Sequence, residues 1–354
     1  MRFGKLVGFV LFVALLYILW KIRQVLLLAF TAVAFATVLN HLVRRLQKLG
    51  IPRGAAVGLT VVGVLGILAA AIAFIAPSLV SKIPESASLS EQGLIRIQEW
   101  YGQFQGMIPG QVLQGVSTQD LWQRLREANS NWTGGFFKVF SGSVNFVLDL
   151  LLVIVVTIML LSNPMAYRRV FLLAFPKFYR SRADDILTDC ENALVGWAIG
   201  IGFNMVVITL LSGLGLWFLG VPLPIVNAIL AGLLTFIPNV GPFLSVIPPT
   251  LMALTVSPWR AIAVVILYIV IQQVESNLLT PLVMKRQVSL LPAITLLSQV
   301  IFAAFFGLLG LFLALPLVVV LQVWAKALLV EDILNTWPQP RWAKIADSVQ
   351  GPGH

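Results

Sequence analysis

The sequence is poor in cysteine and histidine, and each shortage excludes a class of protein. Cys190 is the only cysteine, so neither an intramolecular disulfide nor a multi-cysteine metal site can form. The two histidines are His41, beside a basic loop, and His354 at the terminus. A zinc protease or a serine hydrolase needs histidines close to its catalytic group. We therefore expect a protein that is not an enzyme, with no metal site and no cofactor.

Charge is also scarce, because charged residues make up 11% of the 354 positions and hydrophobic residues make up 59%. An average soluble domain is about 25% charged. So few charges cannot cover the surface of a soluble protein of this size, so the lipid bilayer must replace water around most of it. The net charge of +10 comes mostly from basic residues at the ends of apolar runs. That placement predicts contact with membrane lipids and no binding of nucleic acid.

Ten apolar segments predict an all-α polytopic membrane protein with about seven to nine hydrophobic passes. They are 6–20, 25–39, 55–76, 144–161, 194–219, 225–237, 243–256, 261–274, 291–306 and 308–329. We expect the first two to form two short helices. One helix over both would be about 50 Å long, whereas the hydrocarbon core is about 30 Å thick.

The charges of the loops predict the orientation of the chain. Segments 41–53 and 163–190 are basic, as cytoplasmic loops are, whereas positive and negative residues balance in 77–142, as expected of a translocated segment. No small-x-small cleavage site follows the first apolar run, so we expect an uncleaved span and a cytoplasmic N-terminus.

These assignments divide the chain into six parts. They are three N-terminal spans (1–76), a small helical extracytoplasmic segment (77–142), one span (143–162), a cytoplasmic interfacial loop (163–190), a C-terminal transport core with broken hairpins (191–330) and a cytoplasmic tail (331–354).

Two breaks interrupt the apolar sequence of the C-terminal half. Pro238-Asn239-Val240-Gly241-Pro242 separates two segments that are each too short to span, and two prolines four apart cannot lie in one regular helix. Gly307-Leu308-Leu309-Gly310 divides the other long apolar region. Half-length pairs with Gly/Pro breaks are typical of re-entrant hairpins or broken helices in transporters. Ordinary tight turns at the membrane surface are the alternative.

Glu275 is the one acidic residue that abuts the apolar sequence of the C-terminal half, and polar residues surround it. They are Gln272, Ser276, Asn277 and Thr280, and Pro281 ends the group. Gln272, Glu275 and Ser276 share one helical face by their spacing. This face predicts a site for a cation, a proton or a polar solute, whereas the alternative is a polar helix end at the interface. The Asn239 amide is a second candidate contact for a solute.

These features, in this order, resemble the autoinducer-2 exporter family of prokaryotes. The most specific stretches are Phe236-Ile237-Pro238-Asn239-Val240-Gly241-Pro242, Gln272-Gln273-Val274-Glu275-Ser276-Asn277-Leu278-Leu279-Thr280-Pro281 and Phe306-Gly307-Leu308-Leu309-Gly310-Leu311. The chain departs from the family's pattern at two places. Lys285-Arg286 stands where such proteins often have a glycine followed by a basic residue, and Leu291 stands where they often have a histidine.

The resemblance implies a homo-oligomeric secondary transporter of a small polar solute in the cytoplasmic membrane of a prokaryote. The family is associated with export of quorum signals such as autoinducer-2 and with Na⁺/H⁺ antiport, so Na⁺ or H⁺ is the implied coupling ion. No Walker-type motif occurs, so ATP is not the direct energy source. Two alternatives stay open: a passive channel for a small solute, and a non-transporting envelope scaffold that acts through 77–142.

Overall fold

The computed structural model describes residues 2–67, 69–70, 73, 92, 95, 144–238, 240–279 and 292–334. Three of the candidate residues, Asn239, Thr280 and Pro281, lie outside the described residues, as do almost all of the segment 77–142 and most of the tail. The described part of the chain contains helices and no strand.

The helices are numbered here in chain order. They are α1 (Arg2–Lys21), α2 (Arg23–Lys48), α3 (Arg53–Ile67), α4 (Val144–Ser162), α5 (Pro164–Leu173), α6 (Arg180–Phe218), α7 (Pro224–Leu234), α8 (Val240–Val256), α9 (Pro258–Val274), α10 (Ala293–Gly307) and α11 (Leu309–Leu334).

The prediction of an all-α polytopic membrane protein is confirmed. Within the described ranges, four helices are long and apolar enough to cross a membrane. They are α2, α6 with the short turn before it, α9 with the turn after it, and α11. Helices α4 and α5 are joined at a 91° bend and make a fifth span if they are counted together. Large apolar side chains are exposed on these helices, for example Leu210 and Ile269. Such a surface is stable in lipid rather than in water.

The N-terminal segment forms two helices with a turn at Ile22, as the sequence predicts, although α2 is longer than predicted. The Ile22 N–H donates to the Ile18 carbonyl at 2.9 Å, and the Leu26 N–H donates to the Ile22 carbonyl at 3.1 Å. These are the i to i−4 bonds of an α-helix, so helical hydrogen bonding continues through the junction and no loop separates α1 from α2. The sequence has no glycine or proline there that would end a helix.

Helices α2 and α4 run parallel to each other and form the first packed unit. Gln24 donates to Asp149 at one end, and Arg53 donates to the Leu161 carbonyl at the other. Buried Val43 and Leu161 belong to one apolar cluster of this unit. Asp149, an acidic residue near the start of α4, therefore has a partner on α2 at the surface of this unit.

Helices α7 and α8 form an antiparallel pair, called hairpin A below (224–256). Asn227, at the start of α7, donates to the sulfur of Met252, near the end of α8, at 3.3 Å. At the other end of the pair, Gly241 lies against the Leu234 carbonyl. With 11 and 17 residues, the two helices are about 16 and 26 Å long, and each is shorter than the hydrocarbon core.

Both ends of hairpin A lie at the C-terminal end of α6. Arg260, in the first turn of α9, donates to the Gly220 carbonyl in the turn that leads into the hairpin, at 2.8 Å. The chain therefore enters and leaves hairpin A on one side of the molecule. A shared entry side, together with two helices that are each shorter than the hydrocarbon core, fits a re-entrant loop.

Helices α10 and α11 form the second reversal, called hairpin B below (293–334). Gly310 lies against the Phe302 carbonyl, although eight residues would separate the two by about 12 Å along a straight helix. The end of α11 lies at the N-terminal end of α6, where Arg182 pairs with Glu331 at 2.6 Å and with Asp332 at 3.1 Å. The two hairpins are therefore held at opposite ends of α6.

This geometry predicts that Phe218 and Trp259, which flank hairpin A and are each 78% exposed, face the same side of the membrane. The test is labelling of Phe218→Cys and Trp259→Cys with a membrane-impermeant maleimide in a Cys190→Ser background. We expect both to be labelled from outside, and Arg169→Cys from the cytoplasm. Labelling of Phe218→Cys and Trp259→Cys from opposite sides would mean that hairpin A crosses the membrane.

Candidate functional site

The tips of the two hairpins meet beside α6. The Phe236 ring at the tip of hairpin A lies 5.2 Å from the Phe312 ring of hairpin B, measured between centroids. It also lies 5.6 Å from the Trp197 ring of α6. The Gln299 side-chain amide of hairpin B donates to the Pro238 carbonyl of hairpin A at 3.0 Å. Both breaks in the apolar sequence are thus brought into one region.

The backbone of the first break is held by short-range hydrogen bonds. The Gly241 N–H donates to the Ile237 carbonyl at 2.8 Å, and the Val240 N–H donates to the Pro238 carbonyl at 2.8 Å. The Pro238 carbonyl therefore accepts two donors, one from its own turn and one from Gln299. Pro242 follows in the first turn of α8, where its missing N–H costs no intrahelical bond.

Glycine is required at both breaks. A methyl group on Gly241 would collide with the Leu234 carbonyl oxygen, and one on Gly310 would collide with the Phe302 carbonyl oxygen. Gly307 has φ 65° and ψ −146°, a combination that side-chain-bearing residues rarely adopt. The sequence analysis selected these positions as helix breaks, and their local geometry gives a physical reason for glycine at each one.

The polar group around Glu275 lies at the end of α9, in a π-helical turn over Glu275–Leu279. Gln272 and Glu275 are half-buried, whereas Ser276 and Asn277 are exposed, and Asn277 donates to Gln273 at 2.9 Å. The turn packs on α6. Glu275 thus lies on a wide turn that packs on α6, while the contacts that join the two hairpins are made by other residues.

Gln299 is the site residue that the sequence analysis missed. It is 2% exposed, and Thr295 and Ser298 on the same face of α10 are buried with it. The signal was present in the sequence, since these three residues are spaced as one helical face within an otherwise apolar segment. Gln299 carries no charge, so the search for ionisable groups in the membrane did not find it.

Most of the ion pairs lie at one end of the molecule. Arg44 pairs with Glu191 at 2.8 Å, and Arg168 pairs with Asp184. The two segments predicted to be cytoplasmic, 41–53 and 163–190, are therefore neighbours of the same stretch of α6. The described residues contain no group of three or more histidine, cysteine or acidic side chains that could hold a metal ion.

Side chains at the two breaks should destabilise the protein, whereas a side chain at a glycine in the middle of α6 should not. We expect Gly241→Ala and Gly307→Ala to lower the thermal midpoint of the detergent-solubilised protein, because the first collides with backbone and the second costs about 1–3 kcal/mol of backbone strain. Gly202→Ala is the matched control, since a methyl group there meets no atom within 4 Å. Equal midpoints for all three variants would contradict the tight geometry of the tips.

Comparison with known proteins identifies the family. The sequence profile described as "AI-2E family transporter" matches residues 8–330. The chain is 29% identical to "Putative transport protein YrrI" of Bacillus subtilis over 148 residues, which is 42% of each chain. It is 29% identical to "Putative transport protein YhhT" of Escherichia coli over 308 residues, which is 83% of this chain and 82% of that protein.

A third relative is named for its substrate. The chain is 31% identical over 121 residues to "AI-2 transport protein TqsA" of Escherichia coli, which is 33% of this chain and 35% of that protein. The profile match covers nearly the whole chain, from within α1 to within α11. The chain therefore belongs to the AI-2E family of transporters, and it is a multi-pass membrane protein with a role in transport.

Proposed function

We propose that this protein is a secondary transporter of a small polar solute across the cytoplasmic membrane of a prokaryote, and that the solute passes where the two hairpins meet. The observation that carries this proposal is the hydrogen bond from Gln299 to the Pro238 carbonyl. It places a side-chain amide and a backbone carbonyl at the contact between two broken helices. Such polar groups inside an apolar protein are the usual means of binding a polar solute.

The arrangement of the hairpins supports transport rather than a purely structural role. Unpaired backbone groups cost several kcal/mol each in hydrocarbon, so broken helices persist only where protein or water covers them. Hairpin A is attached at one end of α6 through Arg260, and hairpin B at the other through Arg182. A movement of one tip against the other would open the contact to one side of the membrane at a time.

The name of TqsA makes autoinducer-2 the first solute to test, with export as the proposed direction. We propose Na⁺ or H⁺ as the coupling ion and a homo-oligomer as the working form. Glu275 is the proposed coupling residue, because it is a half-buried acid at the end of a membrane-spanning helix. Gln272, Ser276, Asn277 and Thr280 are its proposed polar neighbours, and the Asn239 amide is a proposed solute contact beside Pro238.

Proteoliposome flux with imposed Na⁺ and pH gradients is the test. We expect autoinducer-2 to accumulate against its own gradient when one of the two ion gradients is applied. Glu275→Gln keeps the shape of the side chain and removes its charge, so it should leave downhill flux and abolish accumulation. Glu275→Asp should keep partial accumulation with a shifted pH optimum.

Asp189→Asn is the matched control, because Asp189 is an exposed acid in the charged first part of α6 and its loss should leave accumulation unchanged. Downhill flux that no ion gradient can reverse in the wild type would favour a passive channel. Unaltered accumulation in Glu275→Gln would reduce Glu275 to a structural residue. Absence of flux for every solute in a panel would favour the envelope scaffold.

A further inference from the structure

Gln299 makes one side-chain hydrogen bond within the described protein, although its amide has both donor and acceptor atoms. Its Nε2 donates to the Pro238 carbonyl at 3.0 Å. Its Oε1 is buried and has no hydrogen-bond donor among the residues that the structure describes. The whole residue is 2% exposed. A buried acceptor without a donor costs about 1–3 kcal/mol, and nearly all such groups in native proteins are satisfied.

The orientation of this amide follows from its surroundings. If its nitrogen and oxygen were exchanged, Oε1 would face the Pro238 carbonyl, and two acceptors would repel each other. The carbonyl of Pro238 therefore fixes the amide with Nε2 toward it, and Oε1 is the atom left without a donor among the described residues.

Three hydroxyl groups on the two hairpins already have acceptors of their own. Ser298 donates to the Thr295 carbonyl at 2.8 Å. On hairpin A, Thr235 donates to the Ala231 carbonyl and Ser245 to the Pro242 carbonyl, both at 2.8 Å. These hydroxyl protons are used on backbone carbonyls, so they do not reach the Gln299 oxygen. The Gln299 side-chain oxygen can therefore accept a hydrogen bond from a donor outside the described protein.

We propose that Gln299 is a solute-binding and specificity-determining residue, whose side-chain oxygen accepts a hydrogen bond from a solute that carries an N–H or O–H donor. The inference rests on the proposed function, since it assigns a contact within the same path. Solutes without a donor lose this interaction and leave the oxygen unpaired. A site built in this way discriminates strongly against analogues that lack the donor.

The same side chain would connect solute binding to the contact between the hairpins. When an amide oxygen accepts a hydrogen bond, its N–H becomes a better donor, because hydrogen bonds in a chain polarise one another. A bound donor at Oε1 therefore strengthens the bond from Nε2 to Pro238. The solute then binds more tightly to the state in which the tips are together, and that difference is what shifts a conformational equilibrium.

The test uses two thiol reagents as probes and needs no identified solute. Aminoethyl methanethiosulfonate carries an ammonium group with N–H donors, and its trimethylammonium analogue has the same charge without any donor. Their rates are compared at Thr295→Cys, one helical turn before Gln299, in a Cys190→Ser background. We expect Gln299→Met to lower the ratio of the two rates about two- to tenfold, the range of one hydrogen bond.

Gln299→Glu is the control that separates binding from structural support. It keeps an acceptor oxygen but removes the N–H that holds Pro238, so the ratio should stay at or above that of the parent. An equal fall in Gln299→Glu and Gln299→Met would show that Gln299 only joins the hairpins. An unchanged ratio in Gln299→Met, or no labelling of Thr295→Cys, would also overturn the proposal. Labelling requires no gradient or flux, so this result is independent of the transport assay.

Discussion

Backbone N–H and C=O groups cannot remain unpaired in hydrocarbon, and this constraint determines how the C-terminal half of the protein is built. Two helices are broken within apolar sequence, at Pro238 and at Gly307, and each break needs partners that a straight helix would supply by itself. The Pro238 carbonyl obtains one from Gln299, which belongs to the other hairpin. The tip of hairpin A therefore depends on hairpin B for one of its hydrogen bonds.

The remaining contacts keep the hairpins in reach of each other. α6 is the common support, because the turn before hairpin A, Trp197 beside its tip and Arg182 beside the end of hairpin B all belong to it or adjoin it. The ion pairs at the N-terminal end of α6 are partly exposed, with Arg44 47% exposed. Such pairs contribute about 0–1 kcal/mol each, so they orient the helices more than they stabilise them. Under the proposed function, this end is the cytoplasmic side.

Much of this arrangement could be predicted from local sequence signals. Prolines four apart and paired glycines indicated where helices must break, and the structure has its reversals at Gly241 and at Gly307 to Gly310. Short apolar segments on either side indicated hairpins rather than full spans. These signals are strong because they come from the conformational limits of proline and glycine, which act within a few residues.

Long-range pairing and helix continuity could not be predicted in the same way. Gln299 and Pro238 are 61 residues apart, and nothing in either segment identifies the other as its partner. The length of the N-terminal apolar sequence predicted its division into two helices, but not that helical hydrogen bonds continue across the turn at Ile22. The wide turn over Glu275–Leu279 also has no distinct sequence signal, since a π-helical turn has the same composition as an α-helical one.

The central claim is that the tips of the two hairpins touch within one subunit, and cross-linking measures this most directly. Phe236→Cys and Phe312→Cys, in a Cys190→Ser background in native membranes, should be joined by a short bifunctional thiol reagent, because the native rings lie 5.2 Å apart. Trp197→Cys with Phe236→Cys is the positive control, at 5.6 Å between rings. The account predicts a cross-linked monomer for both pairs. A cross-link in the control alone, or a cross-linked dimer for Phe236 with Phe312, would contradict it.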